Sequence, residues 1–293
     1  MIAVMGAGCL IVVVIAAGGC GPGQRGPDAL GTGPDSGDGE SNVGADGAGD
    51  NCSDAAKLVY TVDTNNTFSK FDPSTKTFTD LGNLSCVAGP LAQPFSMAID
   101  RYAIAWVVYS DAELFRVDIQ NNLACTKTAW AAQHGLTKFG MGFSSDPGGM
   151  SETLYVASGT TPQTSTLAML DTTSMTATTW ATLQGRPELT GTGSGQLWGW
   201  FPDASAPRVE QIDKTNGSAI QTYTLSSLAG NPADWAFAFW GGDFWIFLMK
   251  GSETSTTVYQ VDGMTGAVKG STPTSARKIV GAGVSTCAPV VIQ

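Results

Sequence analysis

From Lys57 the chain falls into short segments in which apolar and aromatic residues alternate with small polar ones. Residues 58–82 read LVYTVD, TNNT, FSKFDP and STKTFTDLG. Period-two alternation broken by Asn-Asn and Pro-Ser-Thr bends predicts three consecutive β-strands. The unit recurs. Five segments end a strand on an Asp: Lys70-Phe71-Asp72, Arg116-Val117-Asp118, Met169-Leu170-Asp171, Gln211-Ile212-Asp213 and Gln260-Val261-Asp262, spaced by 46, 53, 42 and 49 residues. Each Asp opens a turn rich in Thr, Asn or Gly, where its carboxylate can accept the backbone N–H two residues on. Upstream lie apolar strands (LVYTV, AIAWVVY, TLYVAS, QLWGWF, DFWIFLM), and downstream a weaker one (FTDLG, LACTKT, ATTWATL, AIQTYTL, AVKGST).

Four of the units carry one more strand in front, rich in small residues: PFSMAID, KFGMGFSS, ELTGTGS and WAFAFW. Four strands every 42–53 residues describe the blade of a β-propeller. The first unit lacks its innermost strand, and Lys278–Val284 at the other end supplies a matching one. The expected fold is therefore an all-β propeller of five four-stranded blades, closed when the C-terminal strand completes the first blade. Six blades are the alternative, if one has diverged. The glycines of residues 191–195 and 281–283 are expected in innermost strands crowding the axis.

The N-terminal 50 residues differ. LIVVVIAA (10–17) is too short to cross a bilayer and suits the apolar core of an export signal over 1–19. Residues 21–50 hold almost no large apolar side chain and cannot offset the entropy of ordering, so 20–51 is expected to be a disordered Gly/Asp-rich tether before a propeller at 52–293. That tether carries half of the net charge of −10, with six acids against Arg25. No basic stripe marks a nucleic-acid binder.

Ala17-Gly18-Gly19-Cys20 resembles the lipobox of bacterial lipoproteins, which implies lipidation of Cys20. An ordinary signal peptide cleaved nearby is the alternative. With Gly21 after the Cys, the resemblance implies the outer membrane of a Gram-negative bacterium. The motifs SMAIDRYAIAW, ELFRVD, FGMGFSSD, ETLYVAS and IVGAGVSTCAP together resemble a family of bacterial β-propeller lipoproteins, from about Cys20 to Pro289. No activity comes with that resemblance.

Cys52, Cys86, Cys125 and Cys287 would remain in the exported domain, an even set that suggests disulfides. Of three pairings, the repeat alignment favours Cys86–Cys125 across neighbouring blades and Cys52–Cys287 near the domain ends. No CxxC spacing or histidine cluster offers a metal site, and no cofactor is expected.

Propellers commonly bind ligands at the mouth where loops enter the innermost strands. Here those loops carry Gln93, Phe95, His134, Lys138, Glu188, Asp234, Trp235, Arg277 and Lys278. The candidate ligand-binding set is His134, Lys138, Glu188, Asp234, Trp235 and Arg277. Glu188 and Asp234 are the candidate catalytic pair, because five-bladed glycosidases place acids at such mouths. Most tryptophans of the last two blades are expected in the core, with Trp235 the exception. Three readings follow: a monomeric binding module for a glycan, peptide or envelope protein, a glycan-acting hydrolase or lyase, and an envelope scaffold.

Overall fold

Alternating apolar strands joined by tight turns can bury both faces only by stacking sheets, and here the sheets stack in a ring. The structure, a computed structural model, describes residues 52–158 and 163–291. The expected signal, Cys20 and the tether lie outside the described residues. A short 3₁₀ turn at Asp54–Lys57 leads into β1 (Val59–Asp63), β2 (Thr67–Asp72) and β3 (Thr77–Asn83). The second blade holds β4 (Pro94–Ile99), β5 (Ile104–Tyr109), β6 (Leu114–Asp118) and β7 (Ala124–Lys127). The third holds β8 (Gly140–Ser145), β9 (Glu152–Ser158), β10 (Thr164–Asp171) and β11 (Thr176–Gln184). The fourth holds β12 (Glu188–Gly191), β13 (Leu197–Phe201), β14 (Arg208–Ile212) and β15 (Ala219–Thr224). The fifth holds β16 (Pro232–Trp240), β17 (Asp243–Lys250), β18 (Thr257–Asp262) and β19 (Val268–Pro273), and β20 (Ile279–Gly283) follows.

Each blade is a four-stranded antiparallel sheet, and the first has the order β20-β1-β2-β3. The C-terminal strand thus completes the first blade, and the described residues form a five-bladed β-propeller. Closure is reinforced by Phe71 of the first blade, which meets Trp245 and Phe247 of the fifth edge-on at 5.3 and 5.4 Å. Such ring pairs add about 0.5–1.5 kcal/mol beyond burial.

Burial falls from the axis outward. β8, β12 and β20 are buried along their whole length, whereas β3, β15 and β19 are mostly exposed. An innermost strand is covered by its own blade and by its neighbours around the axis, so it tolerates only apolar or small residues. Glycine makes that crowding possible. A Cβ on Gly140 would lie 2.2 Å from the Pro187 carbonyl oxygen, and one on Gly191 would lie 2.1 Å from the Phe143 oxygen. Within 191–195 only Gly191 takes that place. The stretch Gly193–Gly195 instead forms the turn between β12 and β13, where Gly195 has a φ of +83°.

The five repeat Asp residues behave alike. Their carboxylates accept backbone N–H groups two residues on, from Ser74 (2.9 Å), Gln120 (3.0 Å), Thr173 (2.8 Å), Thr215 (2.7 Å) and Met264 (3.0 Å). Each closes the turn between the third and fourth strands of a blade, on the side where the innermost strands end. Their role is to shape turns.

Both favoured disulfides are present: Cys52–Cys287 with a Cα–Cα distance of 5.8 Å, and Cys86–Cys125 with 5.2 Å. The first closes a span of 235 residues, nearly the whole ring.

Candidate functional site

The innermost strands all run the same way along the axis, so their first residues share one face, here the start face. Two of these strands begin with proline and a bulge. Pro94 pairs with Tyr109 and Ser96 with Val108, leaving Phe95 without a partner across the ladder. In the fifth blade Pro232 pairs with Lys250 and Asp234 with Met249, which skips Ala233. Bulges re-aim side chains at sheet ends, and proline is tolerated there because it owes no ladder hydrogen bond. Phe95, Asp234 and Trp235 reach the mouth this way.

A cavity of about 140 Å³ opens on this face. Phe95, Lys138, Arg186, Glu188, Asp234 and Trp235 supply its chemistry, and Gly140, Ala157, Pro187, Ala233 and Val280 complete its wall. Glu188 opens β12 and is only 2% exposed. Its Oε1 accepts a hydrogen bond from the Ser96 hydroxyl of the second blade and another from the Met141 N–H of the third, at 3.3 Å. One carboxyl therefore links three innermost strands. Burial pushes it well above the ordinary carboxylate range, and the Ser96 and Met141 bonds only partly offset this. Burial thus favours the protonated form of Glu188. Its other oxygen, Oε2, has no hydrogen-bond partner among the described residues.

Asp234 is half-buried, and burial raises its pKa while the charge of Lys278 pulls it back. The Lys138 Nζ lies 5.7 Å from the centre of the Phe95 ring, a cation–π contact at the rim. Arg186 is exposed beside it. Neither cation has a carboxylate partner among the described residues.

Four of the six sequence-derived ligand candidates, Lys138, Glu188, Asp234 and Trp235, therefore meet at one cavity. The other two lie elsewhere. His134 is exposed in the connection between β7 and β8, with φ at +52°, and is not part of the wall. Arg277 turns toward the outer strands of the first blade. Its guanidinium pairs with Asp80 at 2.7 Å, donates to Ser69 Oγ at 3.0 Å and covers the Phe78 ring at 5.0 Å. Arg186 was missed from sequence. It precedes Glu188 by two residues, as Lys138 precedes Gly140, and that matched offset from a strand start was the available signal.

The tryptophans sort as their strands require. Trp198, Trp200 and Trp245 are buried, Trp240 is half-buried and donates its ring N–H to the Lys57 carbonyl at 2.9 Å, and half-buried Trp235 faces the cavity. Among the described residues no group of three or more His, Cys, Asp or Glu side chains is placed to hold a metal ion.

No protein-family model matches the chain, and no curated protein matches it in sequence. Among solved structures it is similar to a chain of a nidogen/laminin complex, at TM-score 0.47 and 12% identity, covering 77% of this chain and 97% of that one. It is also similar to a protein of unknown function from Bacteroides caccae, at TM-score 0.41 and 10% identity, with coverage of 77% and 97%. A luciferin-regenerating enzyme gives TM-score 0.43 and 14% identity, with coverage of 80% and 78%.

Proposed function

We propose that this chain is an exported lipoprotein of a Gram-negative envelope, anchored at the outer membrane through Cys20, and that it works as a monomeric binding module. Its ligand, a glycan, peptide or envelope protein, docks at the start-face mouth of the propeller. One observation carries this reading: blades two to five each send a charged or aromatic side chain to a single cavity, and no ion pair among the described residues joins its cations to its acids. Ligand sites commonly have this form, a concave wall with a few convergent polar groups. Two disulfides support export, because such bonds persist in oxidising compartments. The lipobox-like Ala17–Cys20 and the tether after it support the anchor.

Glycan-array binding by the purified protein, run beside Trp235→Ala, tests the mouth. Saturable binding that the variant loses is expected, and binding that the variant retains would move the site elsewhere. Fractionation of cells expressing Cys20→Ala tests the anchor, with release from the membrane fraction as the expected result.

A second reading has its own support. Glu188 and Asp234 line the same cavity, and burial raises the pKa of both. A glycan-acting hydrolase or lyase needs one carboxyl with a raised pKa, for which burial suits Glu188, and a second acid, which would be Asp234. Turnover of a bound glycan that Glu188→Gln abolishes without loss of binding would replace the binding module with an enzyme. If no glycan binds at all, the envelope scaffold becomes the better reading, and envelope pull-downs are the measurement to make.

A further inference from the structure

We infer that the start-face cavity holds the carboxylate of a ligand carrying it on a single six-membered ring, with Lys138 and Arg186 taking the charge and Phe95 and Trp235 flanking the ring. This deepens the binding reading above and rests on it.

Size comes first. The cavity measures about 140 Å³. Protein cavities near ~150 Å³ take a benzene-sized molecule, so one ring fits and two do not. A longer chain would therefore enter by its end.

Charge comes next. The protein as a whole carries −10, whereas the cavity wall sets two cations, Lys138 and Arg186, beside two acids. Of its two acids, Glu188 is fully desolvated and its Oε1 is occupied by Ser96 and Met141. Asp234 already feels the positive charge of Lys278. Lys138 and Arg186 are left over. Both sit at the rim, where water solvates them until a ligand arrives, so the free protein bears no cost of burying them. A carboxylate suits them, because an arginine fork binds its two oxygens in parallel and a lysine adds a point charge.

The buried end of the site agrees. Glu188 is 98% buried, lines the cavity and keeps Oε2 without a partner among the described residues. In its protonated form, which burial favours, its carboxyl is a donor as well as an acceptor. It can give a hydrogen bond to a ring hydroxyl or to the ligand's carboxylate, which an ionised glutamate would repel. Trp235 and Phe95 provide the apolar surface on which a sugar or aromatic ring lies.

Two sources share this chemistry: a terminal uronic acid of a glycan and a free aromatic acid. Isothermal titration of the full chain with methyl glucuronide against methyl glucoside, and with benzoate against benzamide, separates them. The acid of at least one pair is expected to bind ten-fold or more tighter than its neutral partner. Lys138→Gln and Arg186→Gln should each weaken it ten-fold or more, with unchanged melting temperatures, and added salt should weaken it further. Equal binding of acid and neutral partner, or acid binding untouched by both charge substitutions, overturns the inference. If the neutral ring binds and only Trp235→Ala removes it, the mouth remains a binding site and the anion assignment falls. If neither acid binds at millimolar concentration, the carboxylate assignment is overturned, and glycan-array binding lost in Trp235→Ala then decides the mouth separately.

Discussion

The cavity mouth and the face where the innermost strands end use charge differently. On that end face Arg101, Lys214 and Lys269 are all engaged by neighbouring groups. The Arg101 guanidinium, after β4, donates to the Met150 carbonyl at 2.8 Å, to the Gly149 carbonyl at 3.3 Å and to Thr286 Oγ1 at 3.3 Å. Beside it, Glu152 accepts the Arg101 backbone N–H at 2.7 Å and the Thr286 hydroxyl at 2.5 Å. This knot ties together the second blade, the third blade and the segment after β20. Lys269 likewise bridges Asp243 and Asp262, at 2.6 and 3.0 Å, and Lys214 donates to the Ser145 carbonyl at 2.9 Å. At the start-face cavity, by contrast, Lys138 and Arg186 have no acid partner among the described residues and Glu188 keeps one oxygen unpartnered, while elsewhere on that face Arg277–Asp80, Arg208–Glu210 and Lys127–Glu113 are paired. Groups that bond one another hold structure together, and cations exposed at a concave mouth without an acid partner are available to a ligand.

The contrast can be broken or sharpened by four measurements. The largest effect is expected from the staple on the end face. Replacing Cys52 and Cys287 by serine frees a 235-residue span, and chain entropy alone puts the loss at about 5.5 kcal/mol as an upper estimate. Denaturant unfolding checks this, and a loss below about 1 kcal/mol would mean that the innermost strands close the ring without the staple. Next comes Arg101→Ala. It leaves Glu152 buried without its cation and removes the Arg101 bonds to the Gly149 and Met150 carbonyls, a loss of about 3–5 kcal/mol. The same unfolding assay reads it, and a change near zero would erase the distinction between this knot and the unpaired cations at the cavity.

The third effect depends on pH. Glu188 has an ordinary value of 4.5, and burial raises it. Below that value the folded and unfolded chains both hold the proton, and no penalty arises. Above it the unfolded chain releases a proton that the folded one keeps. Stability therefore falls by about 1.4 kcal/mol per pH unit until the folded pKa is passed. Glu188→Gln keeps an oxygen that can accept from Ser96 and Met141 but cannot ionise. Its melting temperature should gain on the unsubstituted protein as pH rises above about 4.5, and parallel curves would show that the Glu188 pKa is not raised by folding. The smallest effect is Arg186→Gln or Lys138→Gln, each within about 0.5 kcal/mol, because exposed, unpaired side chains contribute little to folding. A large loss there would make the start-face cations structural after all.

Much of this molecule was legible in its sequence for a local reason. Alternation predicts strands because side chains point to opposite faces every second residue. The recurring Asp predicts turns because its carboxylate reaches the N–H two positions on, as it does at Ser74, Gln120, Thr173, Thr215 and Met264. Blade count, closure by β20 and both disulfides followed from aligning those units. The mouth was legible as a set of loops, since every innermost strand must begin on one face. Which side chains share the cavity was not. Arg277 stands one residue before Lys278 at such a loop, yet Asp80 draws it outward. His134 belongs to a long connection whose left-handed turn leaves it outside the wall.

Glu188 shows the boundary between the two kinds of information. Its sequence position places it at the start of an innermost strand, and nothing local distinguishes it from a solvated loop acid. Its burial and its bonds to Ser96 and Met141 come from residues 92 and 47 positions away. The sequence by itself determined strands, turns, ring closure and which residues begin the innermost strands, because these depend on neighbours and on a repeat. Only the tertiary structure decided which charges satisfy one another and which remain at the mouth, because desolvation and pairing depend on distances between blades that no local pattern encodes.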